Sequence, residues 1–273
     1  MTERIDLTKS DQYILSIRLS ADGFSFSIYN PTEKEQQLVY TTYPVDSSYS
    51  MAANLKQMLA ETAALHLSYK RVNILVDSSR YTLIPFELFE DEQMEQLFDF
   101  NLSKRMNEMV LCNILGKNNV ALLFAIDKHC HQLLTDQYPT ARFFSAISPV
   151  SEYFVQKSRT GSNKKMYVYL KEDTLEVYCY KLGKLLFTKA FSCKCTEDRA
   201  YYLLYTWKQL GYNQETDEIS LITYQTSAQE LTAELHKYVK QVFIINPKIE
   251  FKHSDISRVD GLPFDIQTLL VCE

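Results

Sequence analysis

Few side chains in this 273-residue sequence stand at spacings that suit chemistry. Asp77 closes a largely apolar run, residues 72–76, and is followed by Ser78-Ser79-Arg80. The carboxyl end of a buried strand is where α/β proteins place reacting groups, and a two-metal nuclease would hold an ion there. Such a nuclease also needs an aspartate inside the first strand and a glutamate on the next helix. Asp22 falls past the end of that strand and Glu61 falls late on the helix, so the simpler reading of Asp77 is an Asx turn into a loop. Cys193-Lys194-Cys195 follows a strand, where both thiols could face one side. Two ligands are too few for structural zinc, and no CxxC or HxxxH partner exists. His129-Cys130-His131 falls on a predicted helix, where neighbours one and two apart point in different directions. No local spacing supports a Ser-His-Asp or Cys-His pair. The expectation is therefore no metal site and no catalytic group, with Asp22 and Asp77 held for the alternatives below.

Composition removes further classes. The six glycines, Gly23, Gly116, Gly161, Gly183, Gly211 and Gly261, form no GG, GxG or GxxG pair. That excludes the dinucleotide fingerprint, the Walker loop and the kinase glycine loop, which need bare backbone against phosphate. Lys plus Arg total 29 against 34 Asp plus Glu, a net charge of −5 that argues against nucleic acid as the main partner. Residues 1–12 are polar, without the apolar core of an export signal. No apolar run approaches the ~18 residues of a membrane span. Six cysteines in a chain of this kind read as reduced thiols, so the expected location is the cytoplasm.

The elements that must position these residues recur in the same order twice. Residues 13–19, 24–29 and 38–43 are β-rich runs, with Asp22-Gly23 at the first turn and Asn30-Pro31 breaking the chain after the second. A helix is predicted over 50–66, with Met51, Leu55, Met58, Leu59 and Ala63 on one face, before the buried strand 72–76. In the second half, 166–170, 174–180 and 185–191 form another meander turned at Leu182-Gly183-Lys184. Thr196 is placed to cap a helix running to Leu210, with Gly211 as its left-handed stop. Strand 219–223, a helix carrying Ala228, Leu231, Leu235 and Tyr238, and strand 242–245 follow. Strand-strand-strand-helix-strand-helix-strand is the ribonuclease-H-like unit, and two copies signal a duplicated α/β fold with mixed sheets and flanking helices.

The first copy carries an insertion at about 90–140: a helix over 90–107, a hairpin of 109–115 and 119–126 around Gly116-Lys117-Asn118, and a helix capped by Asp127. A strand over 142–147 feeds a further helix. The polar stretch 156–165 gives the boundary. The first domain is expected over 1–156 and the second over 166–273. The linker 157–165 holds Lys157, Arg159, Lys164 and Lys165, read as a solvated loop rather than a patch for nucleic acid or anionic membrane.

This order resembles the actin-like ATPase superfamily, in particular the cell-division actin homologue and the pilus-assembly cytoplasmic proteins of bacteria. Residues 143–191 follow that branch's crossing from strand and helix into a three-stranded meander. The chain also looks like a bacterial family of actin-like-fold proteins with no assigned activity. The resemblance implies a phosphate loop of the type Asp-x-Gly with Ser or Thr at the first turn. The sequence has Leu19-Ser20-Ala21-Asp22-Gly23-Phe24. It implies Asp-x-Gly-Gly-Gly at the second, where Leu170-Lys171-Glu172-Asp173-Thr174 stands and puts carboxylates in place of bare amides. A glycine pair for adenosine is replaced by Val259-Asp260-Gly261-Leu262-Pro263. Asp22, Gly23, Glu172 and Asp173 are thus degenerate phosphate-loop positions, and no cofactor is expected.

Nineteen tyrosines are many for this length. Tyr201, Tyr202 and Tyr205 widen the apolar surface of the predicted helix 196–210, which suits either a partner protein or contact within the chain. The reading is a non-catalytic actin-like protein that acts by protein interaction. The alternatives are a divergent ATPase using ATP and magnesium, with Asp22 near the metal and Asp77 orienting water, and a ribonuclease-H-type nuclease.

Overall fold

The structure, a computed structural model, describes residues 5–31, 37–224, 228–252 and 254–272. Residues 1–4 of the predicted polar start lie outside the described residues. The chain divides into two compact units, residues 1–150 with 253–273, and Ser151–Lys252.

In the first unit, β1 (Ile14–Ser20), β2 (Gly23–Asn30) and β3 (Gln37–Pro44) form the meander, followed by α1 (Met51–Glu61) and β4 (Arg71–Val76). The insertion contributes β5 (Tyr81–Pro85), α2 (Met94–Asn101), β6 (Glu108–Leu115) and β7 (Val120–Asp127). Then come α3 (Lys128–Gln137) and β8 (Arg142–Ser145). The main sheet has the order β3-β2-β1-β4-β8, with β1 antiparallel to β2 and parallel to β4. β1 and β4 are buried on both faces, the polar Ser16 and Asn73 included. The insertion forms its own sheet, β5-β7-β6, whose core is Ile84, Phe98, Ala121, Leu123 and Ala125.

The chain crosses to the second unit within α4 (Ile147–Ser158). There β9 (Lys164–Leu170), β10 (Thr174–Lys181), β11 (Lys184–Ser192), α5 (Thr196–Gln209), β12 (Glu218–Ile222), α6 (Ala228–Leu235) and β13 (Gln241–Ile245) repeat the plan. Its sheet order, β11-β10-β9-β12-β13, matches the first position for position. One face packs α5 and α6 through Leu203, Trp207, Leu231 and Leu235 onto Val168, Val177 and Leu221. On α4, Phe154 stacks on Tyr167 of β9 at 4.2 Å between ring centroids, and Ser151 O accepts from Tyr180 Oη at 2.9 Å. The duplicated ribonuclease-H-like plan expected from the sequence is the plan observed.

After α7 (Pro247–Glu250), the chain returns to the first unit and ends in α8 (Phe264–Cys272). Residues 254–272, expected with the second half, instead pack Ile256, Leu262, Ile266, Leu269 and Leu270 on Ile14, Tyr29 and Leu75 of the first sheet. Burial of that apolar set outweighs sequence proximity.

Several local expectations change. The helix expected over 90–107 is only α2, because Glu90 and Leu102 are extended and Asn107 takes a φ of +61°. Cys195, not Thr196, occupies the N-cap of α5. Tyr238 lies beyond α6 and half exposed; Val239 fills the core position instead. Of the basic stretch, only residues 159–163 form a largely exposed loop, and Lys157, Lys164 and Lys165 belong to the elements on either side. Lys157 pairs with Glu250. Lys164 and Lys165 belong to β9, where Lys164 Nζ donates to the carbonyls of Leu210 and Gly211 at 2.7 and 2.8 Å and closes the C-terminus of α5. Lys165 lies 3.7 Å from Glu218. Arg159 lies against the Gly183 turn, where a Cβ would stand 2.7 Å from its Cγ.

Candidate functional site

The two turns that the resemblance singled out as phosphate loops are both ordered by the chain's own groups. In the first unit, Ser20 pairs with Gly23 across a two-residue turn, Ala21-Asp22, and Asp22 is exposed. Gly23 is required by its neighbour strand: a Cβ there would stand 2.9 Å from Tyr43 O of β3. The glycine at this turn thus serves sheet pairing.

Beside the turn, the carboxyl end of β4 presents Asp77, whose amide donates to Leu19 O at 2.8 Å. A cleft of about 350 Å³ opens here, lined among others by Ser20, Ala21, Asp77, Ser78, Arg105 and Met106. Each carboxylate at its walls is engaged. Arg18, one residue before Leu19 on β1, is ion-paired through Nη2 with Asp77 Oδ2. Its Nε donates to Asp265 of α8, at 2.9 Å to Oδ2 and 3.1 Å to Oδ1. Glu108 is held by Arg80 at 2.6 Å. Asp127 accepts from the amides of His129 and Cys130 and caps α3. Shared between two carboxylates in mostly buried surroundings, the Arg18 guanidinium is a fixed structural charge.

The three carboxylates required by the nuclease reading have separate duties. Asp77 serves Arg18, Asp22 lies on the exposed turn, and Glu61 accepts from Tyr43 Oη at 3.0 Å and from Gln57 at 2.8 Å. Among the described residues no three metal-ligating side chains cluster.

In the second unit, the turn joining β9 to β10 is closed by Lys171 N donating to Thr174 O at 2.9 Å. Arg199, in the first turns of α5, reaches under it. Its Nη2 donates to Lys171 O at 3.0 Å and to Glu172 O at 2.5 Å, while Asp173 O accepts from Cys193 N at 2.9 Å. A phosphate site needs a ring of amide N–H groups aimed at the anion. This turn aims carbonyls at an internal cation, and its Glu172 and Asp173 are exposed. Lys171 Nζ meets Glu176 Oε1 at 2.5 Å, and Tyr178 Oη donates to Glu176 Oε2 at 2.7 Å. Arg199 and Arg18 are the residues that sequence reading missed. An arginine just after Glu197-Asp198, and one inside the β-rich run 13–19, were the available signals.

The adenosine position also has a structural duty. Gly261 takes a φ of +74°, and Leu262 is buried with its carbonyl accepting from Gln267 Nε2 at 3.0 Å.

The remaining clusters separate. Cys193 is buried and Cys195 exposed, so the two thiols do not share a side. Cys130 is buried, and burial with Asp127 nearby pushes its thiol up to about 12. His131 lies against Phe143 with the rings tilted by 33° and their centroids 4.7 Å apart, and burial lowers its pKa. The α5 tyrosines divide. Tyr202 stacks on Phe191 of β11 at 4.7 Å, whereas Tyr201 and Tyr205 are 62% and 51% exposed and stack on each other at 6.0 Å. No helix among the described residues is long and apolar enough to cross a membrane.

A solved structure from Bacteroides thetaiotaomicron, described as a protein with actin-like ATPase fold and unknown function, is similar to this chain. Identity is 50%, with 99% of this chain and 100% of that one covered at a TM-score of 0.88. A chain of the PilM-PilN type IV pilus biogenesis complex is similar in fold at 9% identity. There 91% of this chain and 92% of that one are covered at a TM-score of 0.55. No curated protein matches. The family model described as Protein of unknown function (DUF3822) matches residues 2–242. With two sheets of matching strand order and a family match across most of its length, the chain belongs to the DUF3822 family and has an actin-like ATPase fold.

Proposed function

We propose that this chain is a non-catalytic actin-like protein of the cytoplasm that acts by binding a protein partner. The observation that carries the reading is the Arg199 contact: where an ATPase of this fold would wrap phosphate in backbone amides, this chain has turned carbonyls onto its own guanidinium. The exposed Tyr201 and Tyr205 of α5, with Tyr202 beneath them, are the proposed contact surface, since stacked tyrosines give large area at small entropic cost. PilM, a protein of similar fold, occurs in a complex with PilN, which agrees with the use of this framework to hold a partner. The engagement of Lys157, Lys164 and Lys165 within the second unit, with the net charge of −5, argues against nucleic acid.

Isothermal titration of the full chain with ATP or ADP and magnesium tests the loss of nucleotide. The expected result is no saturable heat. Saturable binding, with hydrolysis lost in both Asp22→Asn and Asp77→Asn, would establish the ATPase instead. Manganese-dependent cleavage of nucleic acid abolished by Asp77→Asn would establish the nuclease.

A further inference from the structure

Among the described residues the three sheets have six edge strands, β3, β8, β11, β13, β5 and β6. Exposed edges invite pairing with other chains, and proteins blunt them with charges, proline or a covering group. Five of the six follow that rule. Pro44 ends β3, Pro85 ends β5, and β11 carries Lys184 and Lys189. Arg142 opens β8 and Glu108 opens β6. These last two edges are also bridged by Asn113, whose side chain donates to Phe143 O at 2.9 Å and accepts from Ser145 N at 2.9 Å.

The exception is β13, Gln241-Val242-Phe243-Ile244-Ile245, with neither charge nor proline. Phe243 and Ile244, on opposite faces of the sheet, are 46% and 49% exposed. Its pairing with β12 also fixes which backbone groups face outward. Thr223 N donates to Ile245 O, so Ile245 directs its polar groups at β12, as Phe243 and Gln241 then must. Val242 and Ile244 direct theirs away, and no described residue bonds them.

We propose that β13 is a self-pairing edge, and that two copies of this chain join through it as an antiparallel, two-fold symmetric dimer. The outward groups select the register. With the axis at Phe243, Val242 of each copy faces Ile244 of the other. Those two outward-pointing residues exchange both N–H···O bonds, twice over by symmetry. Phe243 then meets its own copy in the non-hydrogen-bonded pair, where side chains approach most closely. Gln241 faces Ile245, and Lys240 faces Asn246, so no like charges oppose. Lys240 is in addition neutralised by Glu215 of its own chain at 3.1 Å. Neutrality along the whole strand is what a copy of itself requires; a charged partner strand would have left a complementary charge on this one.

Edge pairing buries little area, so the dimer is expected to be weak, with a dissociation constant in the micromolar range. Sedimentation velocity of the full chain from about 1 to 500 µM tests this, and the mass should rise from 31.8 kDa toward twice that value. Phe243→Glu sets like charges on the axis and should raise the dissociation constant at least about tenfold. Phe243→Lys should do the same, and mixing the two variants should restore a heterodimer. Ile244→Pro removes an outward donor without touching the β12 ladder and should also weaken association. A chain that stays monomeric at every concentration would overturn the proposal. So would a dimer unchanged by Phe243→Glu and Ile244→Pro, which would place its contact elsewhere.

Discussion

The first and second sheets share one strand order, and each half has an arginine near the turn that the resemblance assigns to phosphate, yet the two arginines work differently. Arg18 stands on a central strand and pairs with two carboxylates, Asp77 from the end of β4 and Asp265 from the returning helix α8. Arg199 stands on the flanking helix α5 and takes backbone carbonyls of an exposed turn, with the Cys193 thiol also beside it. A duplicated framework thus uses its arginine in one half for buried ion pairs and in the other to hold a turn. The energetic weight should differ accordingly.

Arg18→Met is expected to have the largest effect. It strands Asp265, whose side chain is 2% exposed, beside Asp77 with no cation between them. Loss of one member of such a buried set costs about 3–5 kcal/mol. Urea unfolding should show it as a lower midpoint. Arg199→Met should cost about 1–2 kcal/mol, because solvent can satisfy the freed carbonyls of the turn. If the two variants proved equal, the contrast between the halves would fail.

A smaller effect separates the second unit by pH. Glu250 is held by Lys157 and Tyr153. Burial pushes its carboxyl up, but those two partners outweigh it and leave the pKa below the ordinary value of 4.5. Its contribution is therefore full above the unfolded value and is lost as pH falls through the lowered folded value. Glu250→Gln should lower stability by less than about 1 kcal/mol at neutral pH. Near pH 3, measured by the same unfolding, it should differ little from the parent. The smallest change is expected from Tyr201→Ser with Tyr205→Ser, within about 0.5 kcal/mol, because these rings are exposed and serve no core. A large loss of stability there would reassign them from partner to fold.

Much of the framework was legible because its signals are local. The runs that became β1, β2, β9 and β10 are bounded by their own turn residues, and Asp127 caps α3 as its position before an amphipathic run suggests. What escaped was long-range or short. Arg18 meets Asp77 across 59 positions and Asp265 across 247, and no spacing rule joins them. Helix α8 is apolar nearly all round and only nine residues long, so it offers no periodic face, and its home in the first unit depends on the finished sheet. Strand β5 is five residues ending in proline. The vacant glycine motifs were visible, but what filled them was not: Arg199 lies 27 residues beyond the turn that it closes.

Thermal unfolding with and without ATP and magnesium shows whether this fold, as proposed, no longer accepts nucleotide. A ligand at 100 times its dissociation constant stabilises a protein by about 2.7 kcal/mol, which raises the midpoint of a domain-sized unit by several degrees. No shift is expected at millimolar ATP, for the parent chain and for Arg199→Met alike. A midpoint that climbs and saturates with ATP concentration in the parent chain would contradict that expectation.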